Sequence, residues 1–138
     1  MSDDTQTCIG LMSGTSSDAI DAVLIEIADQ GRKVQVIATH SEPIEPTLQE
    51  KIRTVSSGED DRIDTVHALD TALAEQFAKA ANQVVEKTIR REDIAVIGSH
   101  GQTVRHRPEG PFPFSLQLGP LCSTSRRCGQ CPAGGGRG

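Results

Sequence analysis

The chain has 138 residues, a net charge of −5, 36% hydrophobic residues, three Phe and neither Trp nor Tyr. That length fits one domain, and its core must come from Val, Ile, Leu and Ala. The acidic balance argues against nucleic acid or an anionic membrane as partner. No apolar run approaches the ~20 residues that span a bilayer, and the polar start "MSDDTQT" is the reverse of a secretory signal, so a cytoplasmic location is expected.

"TCIGL" (7–11) reads as a short buried strand, and "IDAVLIEI" (20–27) as a central strand, apolar on both faces past Asp21. "DQGR" (29–32) is a turn, and "KVQVIATH" (33–40) alternates as a third strand, which makes an antiparallel meander. Thr47 and Glu50 have capping-box spacing for a short helix ending near "SSG". "GEDD" then offers N-cap candidates for a long helix over about 62–90, where Val66, Leu69, Leu73, Phe77, Ala80 and Val84 form one stripe. Alanines 72, 74, 78 and 81 let that helix lie close to a sheet. "IAVIGSH" (94–100) is a fourth strand, apolar on both faces, and runs into the polar loop "GQTVRHRPEG"; "FSLQL" (114–118) is a fifth. The order βββ–α–α–β–β predicts an α/β fold, a mixed sheet with packed helices.

Past Gly119 the composition changes. All 19 acidic residues precede this point, so eleven basic residues against them leave −8 on residues 1–119, while residues 120–138 carry +3 and five of the 13 glycines. The expected organisation is a domain over 1–119 and a disordered tail over 120–138. Cys8 stands alone in the first strand; Cys122, Cys128 and Cys131 lie in the tail. "CGQC" (128–131) has the spacing of a zinc or redox pair, but no second pair or flanking strand and helix supports either, so incidental thiols are expected.

Two loops carry more polar chemistry than connection requires. "SGTSSDAID" (13–21) offers four hydroxyls, a glycine and two carboxylates. Gly14 lets the main chain approach a phosphate, Thr15, Ser16 and Ser17 can donate to its oxygens, and Asp18 or Asp21 can hold Mg²⁺ through water. The same residues also serve as plain turn formers. With no GK dipeptide in the chain, a Walker-type phosphate loop is excluded. "SHGQTVRHRP" (99–108) can hydrogen-bond a polyhydroxylated ligand or clamp an anion through Arg105 and Arg107; alternatively it is a solvated loop. His100 and His106 lack a third ligand at sensible spacing, so no metal site is expected.

These residues resemble a family. "GLMSGTSSDAIDAVLIEI" is similar to the opening of the anhydro-N-acetylmuramic acid kinases, G-x-M-S-G-T-S-x-D-x-x-D, and "IGSHGQTVRHRP" followed by "FSLQLG" resembles that family's second block. The resemblance implies the N-terminal portion of a ribonuclease H-like actin/hexokinase ATPase domain, opening with a three-stranded meander. It implies phosphorylation of 1,6-anhydro-N-acetylmuramic acid by MgATP with ring opening by water, giving N-acetylmuramic acid 6-phosphate in cell-wall recycling. Gly14, Thr15, Ser16, Ser17, Asp18, Ala19, Ile20 and Asp21 match the ATP-binding segment. His100, Gly101, Gln102 and Thr103 match the block on the sugar side, and a homodimer is implied for full-length members. The family's general base, an Asp in a "DFRxxDxxxGGxGAPL"-like segment, falls beyond the match, which ends at "LQLG". The expectations are therefore a truncated, inactive kinase chain, with a frame shift or gene disruption near codon 119, or alternatively a non-catalytic sugar- or nucleotide-binding module. The nucleotide sequence downstream tests the first: a "DFRR…GGQGAP"-like frame supports it, and its absence sinks it.

Overall fold

A computed structural model describes residues 4–86, 88 and 91–119. The expected tail, its three cysteines and the expected end of the long helix at 90 lie outside the described residues. The elements are β1 (Gln6–Ser13), β2 (Ala19–Ala28), β3 (Lys33–Pro43), α1 (Pro46–Ser57), α2 (Ile63–Glu86), β4 (Ile94–Ser99), β5 (Gln102–Arg107) and β6 (Phe114–Leu118).

The meander forms as expected. β1 pairs antiparallel with β2, and β2 with β3, because the connections are short. The β2–β3 turn is tight enough to hold Asp29, Gln30 and Gly31 all at positive φ. β4 returns after the two helices and pairs parallel with β1, giving the mixed sheet order β3-β2-β1-β4.

One face of this sheet is the core. Ile9, Leu11, Ile20, Ala22 and Leu24 pack against Leu69, Leu73, Phe77, Ala81 and Val84 of α2, with Leu48, Ile52 and Val55 of α1 closing the end. All six stripe positions face this core, Val66 only partly; Ala74, Ala78 and Ala81 are buried, and Ala72 packs at the margin. Small residues let the helix pack closely on the sheet. Lys79 of α2 and His40 of β3 add a polar stitch: each meets one oxygen of the buried Glu42 carboxylate, at 2.7 and 2.8 Å.

Among the described residues, no element covers the other face. Val34 and Val36 are 60% exposed and Val96 is 53% exposed. β4 is apolar on both faces, but only one of them is buried: Ile94 and Ile97 are buried, while Ala95 and Val96 are exposed.

Two further local expectations are corrected. α1 does not start on a capping box. Thr47 lies inside the helix, Glu45 is the N-cap with no side-chain cap bond, and Pro46 occupies the first turn. Proline's fixed φ and missing N–H suit that position without a side-chain cap. The loop after β4 is also not a loop. Residues 102–107 form β5, which pairs antiparallel with β6 in a separate two-stranded sheet, so β6 does not join the main sheet. The hairpin is anchored by Arg105, which donates to the Val55 carbonyl at 2.9 Å and pairs with Asp61 at 3.2 Å. At its far end, Gly119 N donates to Asp70 at 2.7 Å.

Candidate functional site

Both polar motifs sit at the C-terminal ends of parallel strands, β1 and β4, where open α/β sheets bind ligands. The β1–β2 turn is closed by Ser17 N donating to the Gly14 carbonyl at 3.1 Å, with Ser17 at φ 54°. Ser16 Oγ donates to Asp18 Oδ1 at 2.8 Å, and Ile44 N donates to the Asp18 carbonyl at 2.9 Å. The turn is thus partly satisfied within itself. It still borders a concavity of 380 Å³, in which Thr15, Ser16 and Ser17 face Gln49, Arg53 and Ser56 of α1. Gly14 has neither a positive φ nor a crowded Cβ position; its nearest such contact is Ser16 Oγ at 3.9 Å. Space over the Gly14 backbone is therefore free for a ligand to approach. Arg53 donates from Nε to Glu50 at 3.1 Å and holds that carboxyl below its usual range.

A second hollow, of 570 Å³, lies on the open sheet face. Its floor is Gly10 of β1 and Gly98 of β4, which are partners in the parallel register. At Gly98 the main chain is open, the nearest atom to its Cβ position being the Ile9 carbonyl oxygen at 4.0 Å, whereas at Gly10 Val23 Cγ1 lies 3.2 Å from that position; a glycine in a strand commonly marks a place where another group comes close. Met12, Asp21, Ser41 and His100 rim it. Asp21 accepts from Ser41 Oγ at 2.9 Å. His100 is placed by its backbone N–H, which donates to the Leu11 carbonyl at 3.0 Å and so extends the β1–β4 ladder past Ser99.

The structure therefore brings Asp21 and His100 to one hollow and sets Thr15, Ser16 and Ser17 on a separate concavity against α1. Asp18 is exposed at the turn, Ala19 is half-buried, and Ile20 is fully buried in the core. Gly101 and His100 also line a groove of 710 Å³ between β6 and the first turns of α2. Gln102 is 2% exposed and bonded inside the protein. Thr103 Oγ1 lies 3.5 Å from Gln117 Nε2. Arg105, one of two arginines read as an anion clamp, bonds α1 and Asp61 through Nη2, while its buried Nε has no partner among the described residues.

Sequence reasoning missed Gly10, Gly98 and Ser41. The first two carried a signal, a glycine inside each of two apolar strands. Ser41 carried none, because its place opposite Asp21 depends on the β2–β3 register.

MgATP, which the resemblance implies, can be tested against these residues. Asp21 is an exposed carboxylate with one oxygen engaged by Ser41, and Mg²⁺ commonly uses one or two carboxylates while keeping several waters. The turn supplies hydroxyls and an uncrowded glycine backbone. The residues fit the group. Among the described residues no cluster of three or more His, Cys, Asp or Glu is arranged to hold a metal by itself.

The profile of the family described as AnmK, anhydro-N-acetylmuramic acid kinase, matches residues 6–131, past the boundary that the motifs place at 119. A protein of Colwellia psychrerythraea named anhydro-N-acetylmuramic acid kinase is 40% identical over 117 residues, 84% of this chain and 29% of that protein. Proteins of the same name from Coxiella burnetii and Shewanella are 42% and 46% identical over 112 residues, 80% of this chain and 29% and 30% of theirs. The chain thus spans less than a third of the curated relatives it matches. With the profile covering most of its length, and both motifs placed at the ends of adjacent parallel strands, the chain belongs to the anhydro-N-acetylmuramic acid kinase family.

Proposed function

We propose that this chain forms part of the substrate cleft of a carbohydrate kinase that phosphorylates 1,6-anhydro-N-acetylmuramic acid with MgATP. The observation that carries the reading is the shared hollow: Asp21, from the nucleotide segment, and His100, from the sugar block, rim one 570 Å³ concavity. Phosphoryl transfer is largely positioning and charge neutralisation. Backbone and hydroxyl donors of Gly14 to Ser17 would cradle the phosphates, Asp21 would hold a hydrated Mg²⁺, and His100 would orient the sugar; the ion, when bound, would supply neutralisation of phosphate charge. In the reaction, a water oxygen bonds to C1 of the sugar as the C1–O6 bond breaks. One water proton leaves to a general base, and O6 takes the γ-phosphoryl, giving N-acetylmuramic acid 6-phosphate and ADP. The ribonuclease H-like sheet, the cytoplasmic location and a dimer in full-length members belong to the same reading. Among the described residues no helix is long and apolar enough to cross a membrane.

Titration calorimetry with MgADP tests this. Saturable binding that weakens at least tenfold in Asp21→Asn supports it; no heat from the folded wild-type chain refutes it.

A further inference from the structure

Ser13 and Gln102 are both buried, at 4% and 2% exposure, and Ser13 Oγ donates to Gln102 Oε1 at 2.5 Å across 89 positions of sequence. The other end of the amide, Nε2, donates to the Thr103 carbonyl at 3.1 Å. At 2% exposure, and with both ends of its amide bonded inside the protein, Gln102 is turned away from solvent, although it sits in the block assigned to sugar contact. Its position explains what it does instead. Ser13 ends β1 and adjoins Gly14, where the hydroxyl-rich turn begins; Gln102 opens β5, two residues after His100. Between them, Gly101 is at φ 75°, where a Cβ would lie 2.6 Å from the Leu118 carbonyl oxygen. The β4–β5 turn is thus clamped from below by β6 and tied sideways to the β1–β2 turn.

We propose that Gln102 is a positioning residue: through Ser13 it locks the nucleotide turn to the turn carrying His100, so that the two ligand sites are energetically coupled. The proposal rests on the kinase reading given above. Its physical basis is ordering. Ligand binding at the exposed tip of the β1–β2 turn removes motion there, and a buried hydrogen bond passes that restraint to the neighbouring turn. The second ligand then loses less freedom on binding. Reciprocity follows: each ligand tightens the other by the same factor.

Calorimetry of 1,6-anhydro-N-acetylmuramic acid with and without saturating MgADP measures the factor. In the wild-type chain an enhancement of about fivefold or more is expected. Ser13→Ala and Gln102→Met bring it to about one, while Ser13→Thr, which keeps a hydroxyl, retains it. Equal coupling in all four proteins, or binding of both ligands to the wild type without coupling, overturns the clasp and leaves the kinase reading intact. Absence of any binding by the folded wild type overturns that reading, and the clasp with it. Should the variants fail to fold, the wild type alone decides through its NMR spectrum. MgADP must then move the Gln102 side-chain amide and His100 resonances; shifts confined to residues 14–21 refute the proposal.

Discussion

Gly101→Ala is the sharpest test of how the site is built. Gly101 sits at φ 75°, and a Cβ there would lie 2.6 Å from the Leu118 carbonyl oxygen and 3.4 Å from Gln117 Cβ. Two penalties apply. A residue with a Cβ in the left-handed region costs about 1 kcal/mol, and forcing an atom against packed backbone adds roughly 1–3 kcal/mol. Gly110 separates them, because it too has positive φ, 97°, but nothing lies within 4 Å of its Cβ position. Gly110→Ala should therefore lose about 1 kcal/mol and Gly101→Ala about 2–4 kcal/mol. At about 4 °C per kcal/mol for a domain of this size, the melting temperature falls by roughly 4 °C in the first and 8–16 °C in the second. Urea unfolding followed by circular dichroism reads both. Equal losses in the two variants would show that Leu118 does not clamp the turn.

Phe77→Ala removes a fully buried ring that also abuts Gly119; a loss of about 3–5 kcal/mol in urea unfolding is expected. The Glu42 carboxyl is held below its ordinary 4.5, first by the His40 hydrogen bond and then by Lys79. A depressed carboxylate contributes stability above its unfolded pKa and loses it as pH falls through the folded value. Glu42→Gln should therefore be less stable than the wild type at pH 7, with the gap narrowing below about pH 4.5 in acid-unfolding curves. Cys8 is 5% exposed. Peptide mapping after iodoacetamide should find it unmodified in the native chain and labelled in urea; labelling in the native chain would contradict the β1 placement.

Much of the fold was legible because its signals are local. β2 announces itself as a run apolar on both faces and β3 by alternation, and the α2 stripe from Val66 to Val84 has one period and one buried side. Where reading failed, a competing local cue or a distant partner decided. At Thr47 the capping spacing was real, but Pro46 next to it starts the helix more simply. In "GQTVRHR" the glycine and the charges concealed a short strand, although Gln102 and Val104 are both buried and two positions apart. Exposure of Val96 could not be read, since it depends on what covers the sheet rather than on β4. The site divides the same way. Its turn residues were visible as composition, whereas the Gly10–Gly98 floor, Ser41 opposite Asp21 and the Ser13–Gln102 bond exist only once strands are in register.

The parallel pairing of β1 with β4 also has a kinetic consequence. The β1–β2–β3 meander closes through connections of a few residues, but β4 reaches β1 only after both helices have intervened, a closure with a much larger entropy cost. The hollow between Asp21 and His100 should be among the last features to form during refolding, and so report on a finished chain. A probe of ligand capture would then lag behind far-UV signals that report the helices and hairpins.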